Sequence, residues 1–86
     1  MAIVTGTFSG TGQSAVVAAT KIKIRMDFAG TASVDIEERG HDGNWVKAET
    51  GITADYVDVY DSPTLVALRL NCTAHTNNVV YSLETN

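Results

Sequence analysis

The chain has 86 residues, of which 44% are hydrophobic and 19% are charged, and its formal net charge is -4 at pH 7. This length corresponds to one domain, so we predict a single domain over residues 1–86. The composition is too apolar for an intrinsically disordered chain. Only six Lys and Arg residues are present. We therefore expect no general affinity for nucleic acid, because phosphate binding needs clustered cations.

The first residues and the cysteine content bear on the cellular compartment. No basic segment followed by a long apolar stretch opens the sequence, so it shows neither a secretory signal nor a membrane anchor. We expect a soluble domain that is made in a cytoplasm and has no membrane partner. Cys72 is the single cysteine, which excludes an internal disulfide, and with His41 and His75 alone it does not make a zinc site. We predict that Cys72 is a small core residue.

Period-two alternation of apolar and polar residues recurs along the first half of the chain, whereas no stretch of ten residues carries a helical stripe. Residues 2–8 predict a first strand, and residues 13–17 a weaker one. The clearest strand covers residues 21–28, with Ile22, Ile24, Met26 and Phe28 toward the core. The next strand, over residues 32–39, is predicted to form a hairpin with it. Its inward residues are Ala32, Val34 and Ile36, and its outward residues are Ser33, Asp35, Glu37 and Arg39.

The second half continues the same pattern. Residues 40–44 predict a tight reversal, followed by a short strand over residues 45–48 before Gly51 breaks the chain. Strands are predicted over residues 54–60 and 65–72, with Pro63 closing the first of them, and a last strand covers residues 79–83. Seven or eight short strands with frequent turns predict an all-β fold. We expect one small antiparallel β-sandwich or a flattened barrel.

The polar residues do not form a pattern that predicts catalysis. Both histidines lie in turn-like segments with no nucleophile and base signature around them. A pair of carboxylates for sugar hydrolysis is conceivable among Asp35, Glu37, Glu38, Asp55 and Asp58, but their alternation is typical of solvated strand faces. Asp42 and Asn44 supply too few oxygen ligands for calcium, so a hairpin turn is the better interpretation. We predict a non-enzymatic protein without metal or cofactor.

Six residues are candidates for contact with another protein: Tyr56, Tyr60, Arg69, Lys21, Lys23 and Arg25. The alternation places both tyrosines outward with Asp58, and Val57 and Val59 inward. Tyr and Arg are favoured at interface hot spots, so Arg69 joins the tyrosines if its strand lies beside theirs. The alternative is that the tyrosines cover the open face of a sheet.

Two further features have alternative interpretations. Lys21, Lys23 and Arg25 form a basic stripe that is either a docking site for an acidic surface or an ordinary solvated strand face. Trp45 directly follows the turn, and we expect it to cap the core beneath that turn. The alternative for Trp45 is stacking against a sugar.

The order of these segments resembles a group of short structural proteins of tailed bacteriophages. The likeness rests on residues 6–14, residues 28–39, the turn at residues 40–45 and the strand at residues 67–73. In that group a hairpin of the pattern G-T-V-x-L-E-R-S-x-D-G-G-x-T-W precedes such a strand. Here Asn44 replaces the second glycine, and one residue fewer precedes Trp45.

The resemblance implies a virion component that binds other proteins and catalyses nothing. Capsid decoration, with the major capsid protein as partner and the virion as location, is the leading expectation. A tail or head-tail junction component is the first alternative, and a small carbohydrate-binding module using Trp45, Tyr56 and Tyr60 is the second. A small acidic β-domain gains stability when copies bury open faces against each other or against a shell, so a homo-oligomer is expected.

Overall fold

The computed structural model describes residues 2–86, which fold into seven β-strands without a helix; Met1 lies outside the described residues. The strands are β1 (Ala2–Phe8), β2 (Gly12–Gln13), β3 (Val17–Phe28), β4 (Ala32–Arg39), β5 (Trp45–Ile52), β6 (Tyr56–His75) and β7 (Val79–Thr85). All of them pair antiparallel in one continuous sheet, in the order β1-β7-β3-β6-β4-β5, and β2 pairs with β6. The predicted all-β antiparallel fold is confirmed. Residues 2–86 contain no helix long and apolar enough to span a membrane.

Strand β6 joins two halves of the sheet. Its first part, residues 56–68, pairs with β3, and its last part, residues 67–75, pairs with β4. We call β1, β7, β3 and the first part of β6 the first half, and β4, β5, β2 and the last part of β6 the second half. Buried side chains from both halves form a single cluster. The sheet therefore folds over on itself around one core.

The prediction of two separate strands over residues 54–60 and 65–72 is wrong, because both belong to the continuous strand β6. Pro63 lies where the ladder between β3 and β6 shifts register, between the pairs Lys21–Asp61 and Ala19–Val66. A proline at such an irregularity removes no ladder hydrogen bond. Pro63 therefore marks a bend within β6 and not its end.

The predicted hairpin between β3 and β4 is also wrong, since β3 lies between β6 and β7, and β4 between β6 and β5. The turn after β3 is tied instead to the turn after β6. The Ala29 N–H donates to the Asn78 carbonyl at 3.0 Å, and the Asn77 N–H donates to the Thr31 carbonyl at 2.8 Å. The Thr31 N–H donates in turn to Asn77 Oδ1 at 2.9 Å. Both chain segments thus cross side by side from one half of the sheet to the other.

The core follows the predicted alternation on most strands. Ile22, Ile24 and Met26 of β3, Val34 and Ile36 of β4, and Leu68 and Leu70 of β6 are fully buried. Cys72 is 1% exposed and has no disulfide partner, so its core assignment is confirmed.

The first part of β6 shows the reverse of the predicted orientation. Val57 is 61% exposed and Val59 is 45% exposed, whereas Tyr56 and Tyr60 are half-buried and pack against the core. The pairing explains this, because Tyr60 lies opposite the buried Ile22 and Val59 opposite Lys23. Residues opposite each other in an antiparallel pair share a face of the sheet.

Other predicted strand boundaries also differ from the structure. The predicted strand over residues 13–17 is reduced to β2, and Val17 already belongs to β3. The predicted strand over residues 45–48 extends through Gly51 to Ile52. Gly51 has φ +66°, and the pairing of β5 with β4 shifts register nearby, so this glycine forms a bulge and does not end the strand.

Candidate protein-contact site

The outer face of the second half carries a cluster of aromatic and charged side chains that the strand pairing brings together. Trp45 of β5 lies opposite Arg39 of β4, and Glu37 lies between Lys47 of β5 and Arg69 of β6. Asp35 lies opposite Asn71 in the next row. Residues paired in this way project from the same face. We call the whole set the Trp45 surface: Asp35, Glu37, Arg39, Trp45, Lys47, Arg69 and Asn71.

Glu37 is the centre of this surface. Glu37 is only 7% exposed, although its position on β4 predicts an outward, solvated side chain. Arg69 Nε lies 2.6 Å from Glu37 Oε1, and Asn71 Nδ2 donates to Glu37 Oε2 at 3.3 Å. Each carboxylate oxygen therefore has its own donor. Burial of a charge at this level requires such pairing, since an unpaired carboxylate strongly prefers water.

Asp35 is also buried, with 4% of its surface exposed, and its carboxylate is paired as well. Its Oδ1 accepts a hydrogen bond from the Gly51 N–H at 3.0 Å, and its Oδ2 lies 3.3 Å from Lys47 Nζ. The bulge at Gly51 thus supplies a backbone donor to this carboxylate. The expectation that Asp35 and Glu37 lie on solvated strand faces is wrong, because neighbouring strands provide cations and donors that cover them.

Trp45 lies among guanidinium groups. Arg69 Cζ is 4.1 Å from the Trp45 ring centroid, and Arg39 Cζ is 5.3 Å from it. Both distances are within the range of cation–π attraction. Among residues 2–86, Trp45 is not one of the half-buried side chains packed on the core. The predicted capping of the core by Trp45 is therefore wrong, since this side chain projects from the outer face of the sheet.

Arg39 and Lys47 are the two exposed cations of the Trp45 surface. Within residues 2–86 no carboxylate lies at ion-pair distance from the Arg39 guanidinium, whereas Arg69 and Lys47 are each paired. Three cations, Arg39, Lys47 and Arg69, face two carboxylates, Asp35 and Glu37. This surface therefore carries one surplus positive charge on a chain whose net charge is -4.

The basic stripe lies elsewhere, on the outer face of the first half. Lys21, Lys23 and Arg25 are all exposed. Arg25 Nε lies 3.2 Å from Asp27 Oδ2, and Lys23 is paired in register with Glu84 of β7 and Val59 of β6. A shallow depression of about 240 Å³ adjoins the stripe, and its lining consists of Lys21, Lys23, Val59, Glu84, Thr85 and Asn86. Acidic neighbours thus accompany the stripe.

Tyr56 and Tyr60 lie apart from both the Trp45 surface and the basic stripe, on the core-facing side of the first part of β6. The Tyr56 hydroxyl donates to Asp58 Oδ2 at 3.1 Å. Burial raises the pKa of Tyr56, and the hydrogen bond to Asp58 raises it further. Burial also raises the pKa of Tyr60, with added effects of the charges on Asp58, Glu49 and Glu38. Arg69 does not join these tyrosines, because it contacts Glu37 and Trp45.

The turn at residues 40–44 is the hairpin that the sequence predicts. The Gly43 N–H donates to the Gly40 carbonyl at 3.0 Å, and the Asn44 N–H donates to Asp42 Oδ1 at 3.0 Å. The second bond lowers the pKa of Asp42. Over the part of the chain that the structure describes, His, Cys, Asp and Glu side chains form no group of three or more that could hold a metal ion.

Comparisons with known protein families, curated proteins and solved structures found no match to this chain. A proposal for the function accordingly rests on the geometry of the surfaces and on the sequence resemblance.

Proposed function

We propose that this protein is a non-enzymatic virion component of a tailed bacteriophage that decorates the capsid shell and binds it through the Trp45 surface. The observation that carries the proposal is the Trp45 ring within cation–π distance of the guanidinium groups of both Arg39 and Arg69, on an outer sheet face. Trp and Arg are the side chains most enriched among residues that dominate the energy of protein interfaces.

The preorganisation of this surface favours binding. Glu37 fixes the Arg69 guanidinium at 2.6 Å, and Lys47 and the Gly51 N–H hold Asp35. Side chains that are already ordered lose little conformational entropy when a partner binds. The exposed Arg39 guanidinium remains for a carboxylate of the partner. An acidic patch on the shell is therefore the expected counterpart.

The same contacts argue against chemistry at this surface. Each carboxylate on it is already held by a cation and a hydrogen-bond donor of this chain, so these carboxylates have a structural role. Support for a virion partner comes from the resemblance of residues 28–45 and 67–73 to phage structural proteins. A repetitive shell also suits a small domain, because it offers many identical sites to identical copies.

The proposal is tested with phage heads produced from a genome that lacks the coding sequence for this chain. Purified protein is added to the heads, and the bound fraction is measured by co-sedimentation. Arg39→Ala should weaken binding at least about tenfold, since it removes the guanidinium offered to the shell. Trp45→Ala should weaken binding at least as strongly.

Arg25→Ala is the matched control, because it removes an exposed arginine from the outer face of the opposite half. Its binding to heads should stay within about twofold of the unchanged protein. Equal binding by the Arg39→Ala and Arg25→Ala proteins would contradict the role of the Trp45 surface. Binding of the unchanged protein to tails and not to heads would support a tail component instead.

A further inference from the structure

Strand β1 forms one edge of the sheet. Within residues 2–86 it pairs with β7 on one side only, in an unbroken register from Ala2–Thr85 to Phe8–Val79. A strand edge presents a row of backbone N–H and C=O groups, and another strand is the partner that satisfies such a row completely. The free side of β1 is therefore a site for strand addition.

The composition of β1 distinguishes it from the other edges. Its seven residues, Ala-Ile-Val-Thr-Gly-Thr-Phe, include no charge and no proline, and its pairing contains no bulge. The edge strand β5 carries Lys47 and Glu49 and has two register shifts. The first part of β6 carries Asp58, Asp61 and Pro63. Charges, bulges and proline are the devices by which natural proteins block edge-to-edge pairing, and β1 has none of them.

The sequence of β1 also fits a second copy of itself. In an antiparallel pair with a two-fold axis at Thr5, Val4 lies opposite Gly6 of the second copy and Ala2 opposite Phe8, so large side chains face small ones. On the outer side, Ile3 lies opposite Thr7, and the two Thr5 residues meet. β-Branched side chains form favourable pairs across strands, and no like charges are opposed.

We propose that two copies of this chain associate through antiparallel pairing of their β1 strands about Thr5, which makes one sheet continuous through both copies. Such a contact is isologous and closes at two copies. The inference concerns β1 alone and holds whether or not the chain binds a capsid shell, because the Trp45 surface lies on β4, β5 and β6.

The test uses charge at the two-fold axis, since like charges directly opposite each other destabilise a strand pair. The unchanged protein should be dimeric by sedimentation velocity at concentrations below about 1 mM. Thr5→Lys and Thr5→Glu should each be monomeric, and an equal mixture of the two should restore the dimer. The Thr5 side chain is exposed, so both variants should keep the circular dichroism spectrum of the fold.

Val46→Lys is the matched control, because Val46 is an exposed β-branched residue on the edge strand β5. It should leave the dimer unchanged. A monomeric unchanged protein, dimers of both single Thr5 variants, or a mixture that stays monomeric would each overturn the proposal. Equal loss of the dimer in Val46→Lys would overturn it as well.

A covalent readout checks the same geometry without relying on charge. Thr5→Cys in a Cys72→Ala background should form a disulfide-linked dimer on mild oxidation, since opposed residues of an antiparallel pair lie about 4.5–5.5 Å apart at Cα, within the range that a disulfide spans. Val46→Cys in the same background should remain mostly monomeric. Slow, equal crosslinking of both variants would contradict pairing through β1.

Discussion

The Glu37–Arg69 ion pair has an unusual position for a charged contact in a small domain. It lies on an outer sheet face, yet the Glu37 side chain is almost wholly covered and Arg69 is mostly covered. Coverage comes from Trp45 above Arg69 and from Asn71 beside Glu37. An ion pair shielded from water in this way has a strong effect on stability when one partner alone is removed.

Arg69→Ala should therefore lower the free energy of unfolding by about 2–4 kcal/mol, because Glu37 keeps its burial and loses its cation. The double change Glu37→Leu with Arg69→Leu should recover a large part of this loss, since two apolar side chains leave no unpaired charge. Urea denaturation followed by far-ultraviolet circular dichroism measures both values.

The exposed pair Arg25–Asp27 provides the comparison, and Arg25→Ala should change the free energy of unfolding by less than about 0.5 kcal/mol. Similar losses for Arg25→Ala and Arg69→Ala would show that the cover over Glu37 has no energetic consequence.

Cys72 offers a second test at the scale of single residues. Its side chain is buried beside Leu70 on β6, and burial raises the pKa of the thiol. Because the thiolate is the reactive form, both effects slow attack on a thiol reagent. A disulfide-exchange reagent should label Cys72 only at the rate at which the protein unfolds, and denaturant should make labelling fast. Rapid labelling in native buffer would contradict the inward orientation of this part of β6.

Strand β5 contains a bulge that requires one particular backbone conformation. Gly51 has φ +66°, a region that side chains of L-residues rarely adopt, and its N–H donates to the buried Asp35 carboxylate. Gly51→Ala should lower the free energy of unfolding by about 1–2 kcal/mol. Gly10→Ala is the control, since its backbone has no positive φ and an added Cβ meets no neighbour within 4 Å. It should be neutral in the same denaturation experiment.

Local alternation predicts the strands better than it predicts their partners. The bounds of β1 and β4 follow directly from the sequence, because each is short and is followed by a glycine-containing turn. The pairing of β3 with β6 and β7 does not follow from it, since the hydrogen bonds between the turns at residues 29–31 and 76–78 join segments distant in sequence. A turn signal shows that the chain reverses but not which strand it then meets.

The candidate site is predictable only in part, for a related reason. Arg69 is a contact candidate from its residue type, but its partners Glu37 and Trp45 become neighbours through the order β6-β4-β5. Tyr56 and Tyr60 fall on the unexpected side because valines and tyrosines alternate in residues 56–60, and both suit a half-buried face. Charged residues at every second position of β4, namely Asp35, Glu37 and Arg39, are the sequence feature that indicates ion pairs with the neighbouring strands.

At the scale of the whole molecule, three regions differ in charge. The Trp45 surface has a surplus cation, the stripe of Lys21, Lys23 and Arg25 is interspersed with acidic residues, and the edge around Tyr56 and Tyr60 is acidic through Asp58, Glu49 and Glu38. An acidic edge beside half-buried phenols makes stability sensitive to high pH.

Both tyrosine pKa values are higher in the folded protein than the ordinary value of 10.0. Below that pH both states keep the proton, and the stabilising effect is fully present. Above it the unfolded chain loses protons that the folded protein retains, so the free energy of unfolding should fall as the pH rises. The fall between about pH 8 and about pH 10.5 should be smaller in a Tyr56→Phe, Tyr60→Phe protein. An equal fall in both proteins, measured by urea denaturation, would contradict this origin.

The location of the protein in phage particles tests the central proposal most directly. Particles from cells that encode this chain are purified on a density gradient, labelled with an antibody against the chain and viewed by electron microscopy. Capsid decoration predicts label spread over the whole surface of the head and a copy number, from quantitative mass spectrometry, proportional to that of the major capsid protein. Label confined to the tail or to the head-tail junction, or particles without the chain, would contradict it.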